Sequence, residues 1–453
     1  MEPPFPSLFI LFATSLLLSA LVIIVKSMRS TDSNMKLPPG PWKLPIIGNL
    51  HQLVRFGSQP HQILRDLANQ HGPLMHLQLG ELSTIVVSSA EVAKDVMITH
   101  GLAFANRPYV AALDILTYGY RDVAMAPYGN YWRQIVSSVA FGNICKDHES
   151  YSLVVKELVK LGSGFRLADM YPSFRMLELI SGLRQKAEVL LQKSDRIFQG
   201  IIDEHRAGLK RGITSEGEAK EDLVTVLLKI QQQGGLEFPL TDKDIKGIIW
   251  DIFGGGGETS STTVDWAMSE MVRNPRVLKK AQNEIRQICH GKGDVDEASI
   301  KEIKYLALVI KETLRLHPPF PLLLPRESRE DCEVNGYQVP YKAKIIINAW
   351  AIGRDPKYWN EPETFYPERF LDSSIDFKGT DLEYIPFGAG RRMCPGIAFA
   401  LPNVELPLAK LLYHFDWELP SGMSHQNLDM TELFGVTMRR KDDLILIPTP
   451  YIC

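Results

Sequence analysis

The chain has 453 residues, of which 45% are apolar, and its 50 Lys and Arg stand against 53 Asp and Glu for a formal net charge of −3. That composition excludes a disordered or fibrous chain and supplies enough apolar material for a large core. A near-balanced charge leaves no basic excess to neutralise a phosphate backbone, so no nucleic acid partner is expected. The five cysteines, Cys145, Cys289, Cys332, Cys394 and Cys453, are odd in number, widely spaced and without a CxxC pair. Neither a disulfide framework nor a zinc site is indicated, and the pattern suits a reducing compartment.

In chain order, residues 1–29 read as a membrane anchor. The run from Ser7 to Val25, SLFILFATSLLLSALVIIV, is uncharged and about long enough as a helix to cross a thin bilayer, and Lys26 and Arg29 follow it. Positive charge on that flank keeps the rest of the chain cytosolic. The rival reading is a cleaved signal peptide, which the acidic start and the missing cleavage site disfavour. Residues 30–45 form a proline-rich hinge, Leu37-Pro38-Pro39-Gly40-Pro41, stiff because each proline fixes φ. Leu74 to Leu79 and Thr84 to Val87 predict two strands around Gly80-Glu81, with a helix over about Ser89 to Thr99.

Helical spacing dominates from Leu153 to Leu227 and from Ile245 to Leu316, while Arg206 to Glu221, polar with three glycines, predicts an exposed loop. Short strands are expected near Glu333 to Val339, Ala343 to Asn348 and Asp443 to Ile447, giving a mainly α class with small β-sheets. Within the helical region, Phe253-Gly254-Gly255-Gly256-Gly257-Glu258-Thr259 puts four glycines where each costs about 1 kcal/mol against alanine. A phosphate loop would need a closing GK[ST], which is missing, so the stretch reads as a widened helix turn over a bound small molecule.

Glu312-Thr313-Leu314-Arg315 places an acid and a base on one helix face. Leu324-Pro325-Arg326-Glu327 and Pro367-Glu368-Arg369-Phe370 follow, and then Phe387-Gly388-Ala389-Gly390-Arg391-Arg392-Met393-Cys394-Pro395-Gly396. Glycines there let the backbone approach a flat ligand, and their amides, with Arg392, would lower the thiol pKa of Cys394. The helix predicted over Ile397 to Tyr413 would bring its positive end to the sulfur.

This last run resembles the cysteine-ligand signature F-x-x-G-x-R-x-C-x-G of the cytochrome P450 haem-thiolate enzymes, matching every fixed position. The resemblance implies that family's fold over residues 46–453, with haem b (iron protoporphyrin IX) ligated by Cys394. It implies cofactor contacts from Phe387, Gly388 and Gly396, from Trp132, and from Arg326 and Arg392 to the propionates, for which a guanidinium is well shaped. Glu258 and Thr259 match the acid–alcohol pair that delivers protons during oxygen activation. Glu312, Arg315 and Arg369 match a structural lock beneath the haem. By position, Phe104 to Asp122, Pro321 to Leu324 and Leu433 to Thr437 would wall the substrate pocket, supplying Tyr109, Val110, Leu113, Ile115, Leu116, Leu323, Phe434 and Val436, with Ile252 and Gly255 facing them. The hinge, the Trp-Arg pair and the cysteine run look most like plant A-type members, including terpenoid oxidases. O2 and NADPH-derived electrons would arrive through NADPH-cytochrome P450 reductase, with Arg133, Arg391 and Lys410 as docking charges, on the endoplasmic reticulum membrane.

One departure stands out. Members place an arginine four residues after the tryptophan, and here that position is Val136. Ser138-Val139-Ala140-Phe141-Gly142 resembles a stretch found much later in members, so ~50 residues at ordinary helix lengths are expected to be missing near 135–140. The competing expectation is therefore a catalytically impaired splice form or mispredicted gene product that binds haem poorly.

Overall fold

In a computed structural model of the chain, the described residues are 12, 14–19, 35–54, 58–139, 166–174, 176–210, 222–435 and 437–452. None of the described helices is long and apolar enough to cross a membrane. The anchor expected over residues 1–29 thus gains no support, and most of it lies outside the described residues. The hinge is not a free spacer where it is described. Pro39 O accepts from His76 N at 2.9 Å, Gln338 N donates to Lys36 O at 2.8 Å, and Asn49 Nδ2 donates to Pro41 O and Trp42 O.

The helices that build the site and its supports are α1 (Pro60–His71), α2 (Ala111–Leu116), α3 (Asn130–Val139), α4 (Leu183–Lys210), α5 (Leu223–Gln233), α6 (Asp242–Asp251), α7 (Glu258–Arg273), α8 (Pro275–Ile288), α9 (Tyr305–Leu316) and α10 (Ile397–His414), with shorter ones between them. Their starts are written in the sequence. Thr241 and Asp244 form a reciprocal capping box on α6, Asp222 caps α5 by accepting from Thr225 N at 2.8 Å, and Pro275 opens α8. Strands β1 (Leu74–Leu79), β2 (Leu82–Val87), β3 (Arg326–Glu327) and β4 (Lys344–Ile347) make one sheet in the order β1-β2-β4-β3, with β2 and β4 parallel. The chain is mainly α with small sheets, as the periodicity predicts. Two local expectations change: α4 continues to Lys210 instead of ending at Arg206, and the last strand is Ile447–Pro450, paired with Phe415–Glu418, rather than Asp443 to Ile447.

The largest apolar cluster is built by α7, α8, α9 and α10, and it includes Met271, Val309, Leu314, Leu408 and Leu412. A second, including Leu116, Ile135, Phe198, Leu227 and Ile248, joins α2 through α6. At the base of the first cluster sits the expected lock. Arg315 donates from Nε and Nη2 to the two oxygens of Glu312, both at 2.8 Å, and from Nη1 to Gly353 O and Pro362 O at 2.7 Å. Arg369 Nε reaches the same carboxylate at 2.9 Å, and Tyr366 N donates to it as well. The side chains of Glu312 and Arg315 have no exposed surface. Every bond here must survive, because a buried charge left alone costs more than the pair itself provides. Glu312→Ala should therefore lower stability by about 3–5 kcal/mol, read as the shift in denaturant unfolding of the purified chain. An unchanged midpoint would mean that the lock does not stabilise the fold.

Candidate active site

The cysteine loop is shaped by backbone that only glycine adopts with ease. Gly388 and Gly390 have φ of +71° and +66°, and a Cβ on Gly390 would stand 2.0 Å from Met97 O. A short 3₁₀ turn, Gly390–Arg392, then leads to Cys394, whose N–H donates to Phe387 O at 2.9 Å. Gly396 N–H donates to Cys394 Sγ at 3.4 Å, just ahead of α10. Cys394 itself has open surface, yet its thiol is close-packed enough that desolvation outweighs the Gly396 bond. Its pKa is pushed up, with the Asp251 charge adding to the rise, which corrects the expected lowering by amides and Arg392.

Arg392 is buried and spends its donors on carbonyls rather than on the sulfur. Nε reaches Ala105 O at 2.7 Å, Nη2 bonds Ala126 O, and the guanidinium lies 4.6 Å over the ring of Trp132. Trp132 gives its own N–H to Val123 O at 2.9 Å, so its contact with the site runs through Arg392. Arg326, on β3, donates from Nη2 to Ala389 O at 2.8 Å. Arg107 donates to Ala124 O, Leu324 O and Pro325 O. No carboxylate forms an ion pair with any of the three among the described residues. Burial pushes Arg392 down to about 8, Arg326 to about 9 and Arg107 to about 10; repulsion from neighbouring arginines adds to the fall at Arg392 and Arg326, while the Asp122 charge opposes it at Arg107 and Arg392. Nη1 of Arg326 and Nη1 of Arg392 are buried without a partner. Two orphaned guanidinium donors beside a cysteine loop suit a ligand that carries two acid groups.

Facing the loop, residues Ile252–Gly257 form a π-helical turn between α6 and α7, the widened turn that four glycines predict. A Cβ on Gly255 would meet nothing within 4 Å, whereas one on Gly256 would stand 2.7 Å from Phe399 of α10. The Phe399 ring therefore reaches from the cysteine helix to the glycine turn. Thr259 Oγ1 donates to Gly255 O at 2.6 Å, and Glu258 Oε1 accepts from Thr437 Oγ1 at 3.2 Å. A cavity of about 30 Å³ beside Thr259, Ser260, Phe387 and Leu401 is large enough for one water, and Ser260 Oγ, buried on its wall, has no partner.

Comparison with known proteins gives the family. The family model described as Cytochrome P450 matches residues 38–135 and 129–447. The chain belongs to the cytochrome P450 family. It is 46% identical to premnaspirodiene oxygenase of Hyoscyamus muticus, with 98% of each chain covered, and 43% identical to 5-epiaristolochene 1,3-dihydroxylase of Nicotiana tabacum, again with 98% of each covered. It is 48% identical to tabersonine 6,7-epoxidase isoform 1 of Catharanthus roseus, with 93% of each covered. A zebra fish cytochrome P450 structure with progesterone superposes with a TM-score of 0.69 at 25% identity, covering 87% of this chain and 100% of that one. The alignment to the Hyoscyamus relative spans 496 positions although this chain has 453 residues, and the two stretches of the family match meet at 129–135.

In this cytochrome P450 the residues expected to wall the pocket differ in burial. Val110 and Leu116 are buried, Leu116 in the second core cluster, with Ile115 packed against that cluster. Leu113 is half-buried on α2, Ile252 is half-buried in the π turn, and Leu323, at φ +49°, lies beside Gly388. Phe434 turns to the ring of His61, 6.2 Å away, and Val436 lies outside the described residues. Among the expected docking charges, Lys410 is paired with Asp294 at 2.6 Å, Arg133 bonds Asn130, and Arg391 bonds Tyr128.

Arg107 and the acid pair Asp122 and Asp251 went unnoticed in the sequence, since nothing in their spacing marks them. Asp251 accepts from Val123 N and Ala124 N, tying the 117–125 loop to the end of α6. Burial pushes Asp122 up to about 6 and Asp251 well above the usual carboxylate range. From pH about 4 to about 6 the folded chain then keeps a proton that the unfolded chain has released, so stability falls as pH rises through that window. Denaturant midpoints across it should decline, and Asp122→Asn should flatten the decline. A second expectation concerns the ligand: Arg326→Ala and Arg392→Ala should each weaken haem retention by about 10- to 100-fold, the value of a hydrogen bond between charged groups, read from the rate of haem transfer to apomyoglobin.

Proposed function

We propose that this chain is a haem-thiolate monooxygenase that inserts one oxygen atom of O2 into an apolar, terpenoid-like small molecule. Electrons come from NADPH through cytochrome P450 reductase. The observation that carries the reading is the pair of buried, unpartnered guanidinium donors on Arg326 and Arg392, beside the thiol of Cys394 and opposite the glycine turn. Haem b, when bound, supplies oxygen activation at an iron whose potential the thiolate ligand tunes.

The remaining roles belong to the chain. Cys394 is the iron ligand, positioned by Phe387 O and Gly396 N–H, and Gly388 leaves the flat ligand room. Arg326 and Arg392 take the propionates, and Trp132 fixes the plane of Arg392 from below. Glu258 holds the proton that the oxygen chemistry consumes, and the Thr259 hydroxyl, released from Gly255 O, passes it on through water. Gly255, Ile252, Leu113 and Leu323 make an apolar wall that selects a greasy substrate and keeps bulk water out. Residues 1–29 tether the enzyme to the endoplasmic reticulum membrane with the catalytic domain in the cytosol, a reading carried by the uncharged run and its basic flank.

The shortening favours a second reading, in which this form keeps the ligand set but retains haem weakly. The family match in two stretches supports it, as do the valine at position 136 and the Phe399 ring against Gly256. Reduction under carbon monoxide separates the two. A red-shifted Soret band at one haem per chain, lost in Cys394→Ala, is the result expected of the monooxygenase. A chain that folds but gives no band in the presence of added haem is the impaired form.

A further inference from the structure

The geometry points to Thr437 as a residue that positions the proton-carrying carboxylate of Glu258, holding it through a hydroxyl in the hairpin whose strands are Glu432–Leu433 and Arg439–Arg440, which packs against α7. The inference rests on the reading of Glu258 as a proton carrier. Among the described residues, the Glu258 carboxylate has one hydrogen-bond partner, Thr437 Oγ1 at 3.2 Å. Thr259, its neighbour in sequence, turns its hydroxyl to Gly255 O and cannot do this work.

Thr437 suits the task because it is buried and its C-terminal neighbour is clamped. It is 3% exposed, and as a β-branched residue its χ1 is restricted. The next residue, Met438, is clamped: its N–H donates to Pro319 O at 2.9 Å and its carbonyl accepts from Trp266 Nε1 at 3.0 Å. Trp266 is stacked on His317 at 3.8 Å, and His317 bonds Glu270 at 2.8 Å, so the clamp is itself rigid. At the other end of the hairpin, Glu432 accepts from His61 Nε2 at 2.8 Å, Gln62 Nε2 at 3.0 Å and Trp350 Nε1 at 3.2 Å. Directly before the clamped Met438, Thr437 is therefore presented at a fixed point.

A glutamate on a half-exposed helix face samples several rotamers, and only some aim it at the site. One hydrogen bond from a fixed donor selects among them, which is the contribution of positioning to a proton transfer. The Thr437 oxygen keeps two acceptor sites while it donates, so it can also hold a water next to the carboxylate. Its own proton stays on Oγ1, and no bond to it forms or breaks. Thr437 is a positioning residue.

The test uses the full chain as parent, Thr437→Val, Thr437→Ser and Glu258→Gln. Carboxylate infrared spectra of each protein labelled with ¹³C-glutamate need no haem, and the band lost in Glu258→Gln identifies the carboxylate. NADPH oxidation by the haem-loaded chain with reductase is measured alongside, with carbon monoxide spectra checking that haem content is equal. Expected are a shifted band and roughly tenfold slower oxidation in Thr437→Val, a part of the ~100-fold or more that a placed proton donor contributes, with both restored in Thr437→Ser. An unmoved band, or a shifted band at the parental rate, overturns the positioning role while leaving Glu258 in place. A parental rate in Glu258→Gln removes the proton-carrier reading and this inference with it.

Discussion

Three buried guanidinium groups join the parts of this site. Arg107 ties the loop at Ala124 to Leu324 and Pro325, Arg326 ties β3 to Ala389, and Arg392 ties the cysteine loop to Ala105 and Ala126. Each uses carbonyls, which satisfy donors but do not cancel charge. Among the described residues the Asp122 charge acts on Arg107 and Arg392 without forming an ion pair with either, so cations hold the site together with only part of their charge offset. The same donors that assemble the pocket leave two guanidinium groups open to a ligand with acid groups, which is what supports the proposed reading.

The lock around Glu312 has a different logic. It is complete without any ligand: one carboxylate accepts from two arginines and a backbone amide, and the arginines spend their other donors on carbonyls of residues 353–364. The cluster built by α7 to α10 can thus remain folded on its own satisfied groups, while the opposite side of the pocket carries unsatisfied ones. An internally shortened chain would lose support on that second side, where α3 ends and where Val136 supplies apolar packing in place of a cation.

The glycine turn shows a similar division between what is required and what is chosen. Four consecutive glycines cost helix stability, and the π-helical geometry leaves space at Gly255. The same freedom lets Phe399 reach Gly256 from α10. A residue with a side chain at position 256 would close that approach and narrow the turn at once.

By itself the sequence determined the chemistry-bearing residues that lie close together along the chain. The cysteine loop, the lock, the glycine turn and the first two strands were legible because short spacing and backbone demands such as the positive φ of Gly388 and Gly390 leave few alternatives. Tertiary structure alone decided which donors remained free and which were spent. Trp132 gave its N–H to Val123, Thr259 turned to Gly255, Lys410 paired with Asp294, and the thiol of Cys394 became harder to ionise through burial. Arg107, Asp122 and Thr437 gained their significance only through partners far away in sequence. Hydrogen-bond satisfaction and desolvation depend on three-dimensional neighbours, and spacing along a chain carries no record of them.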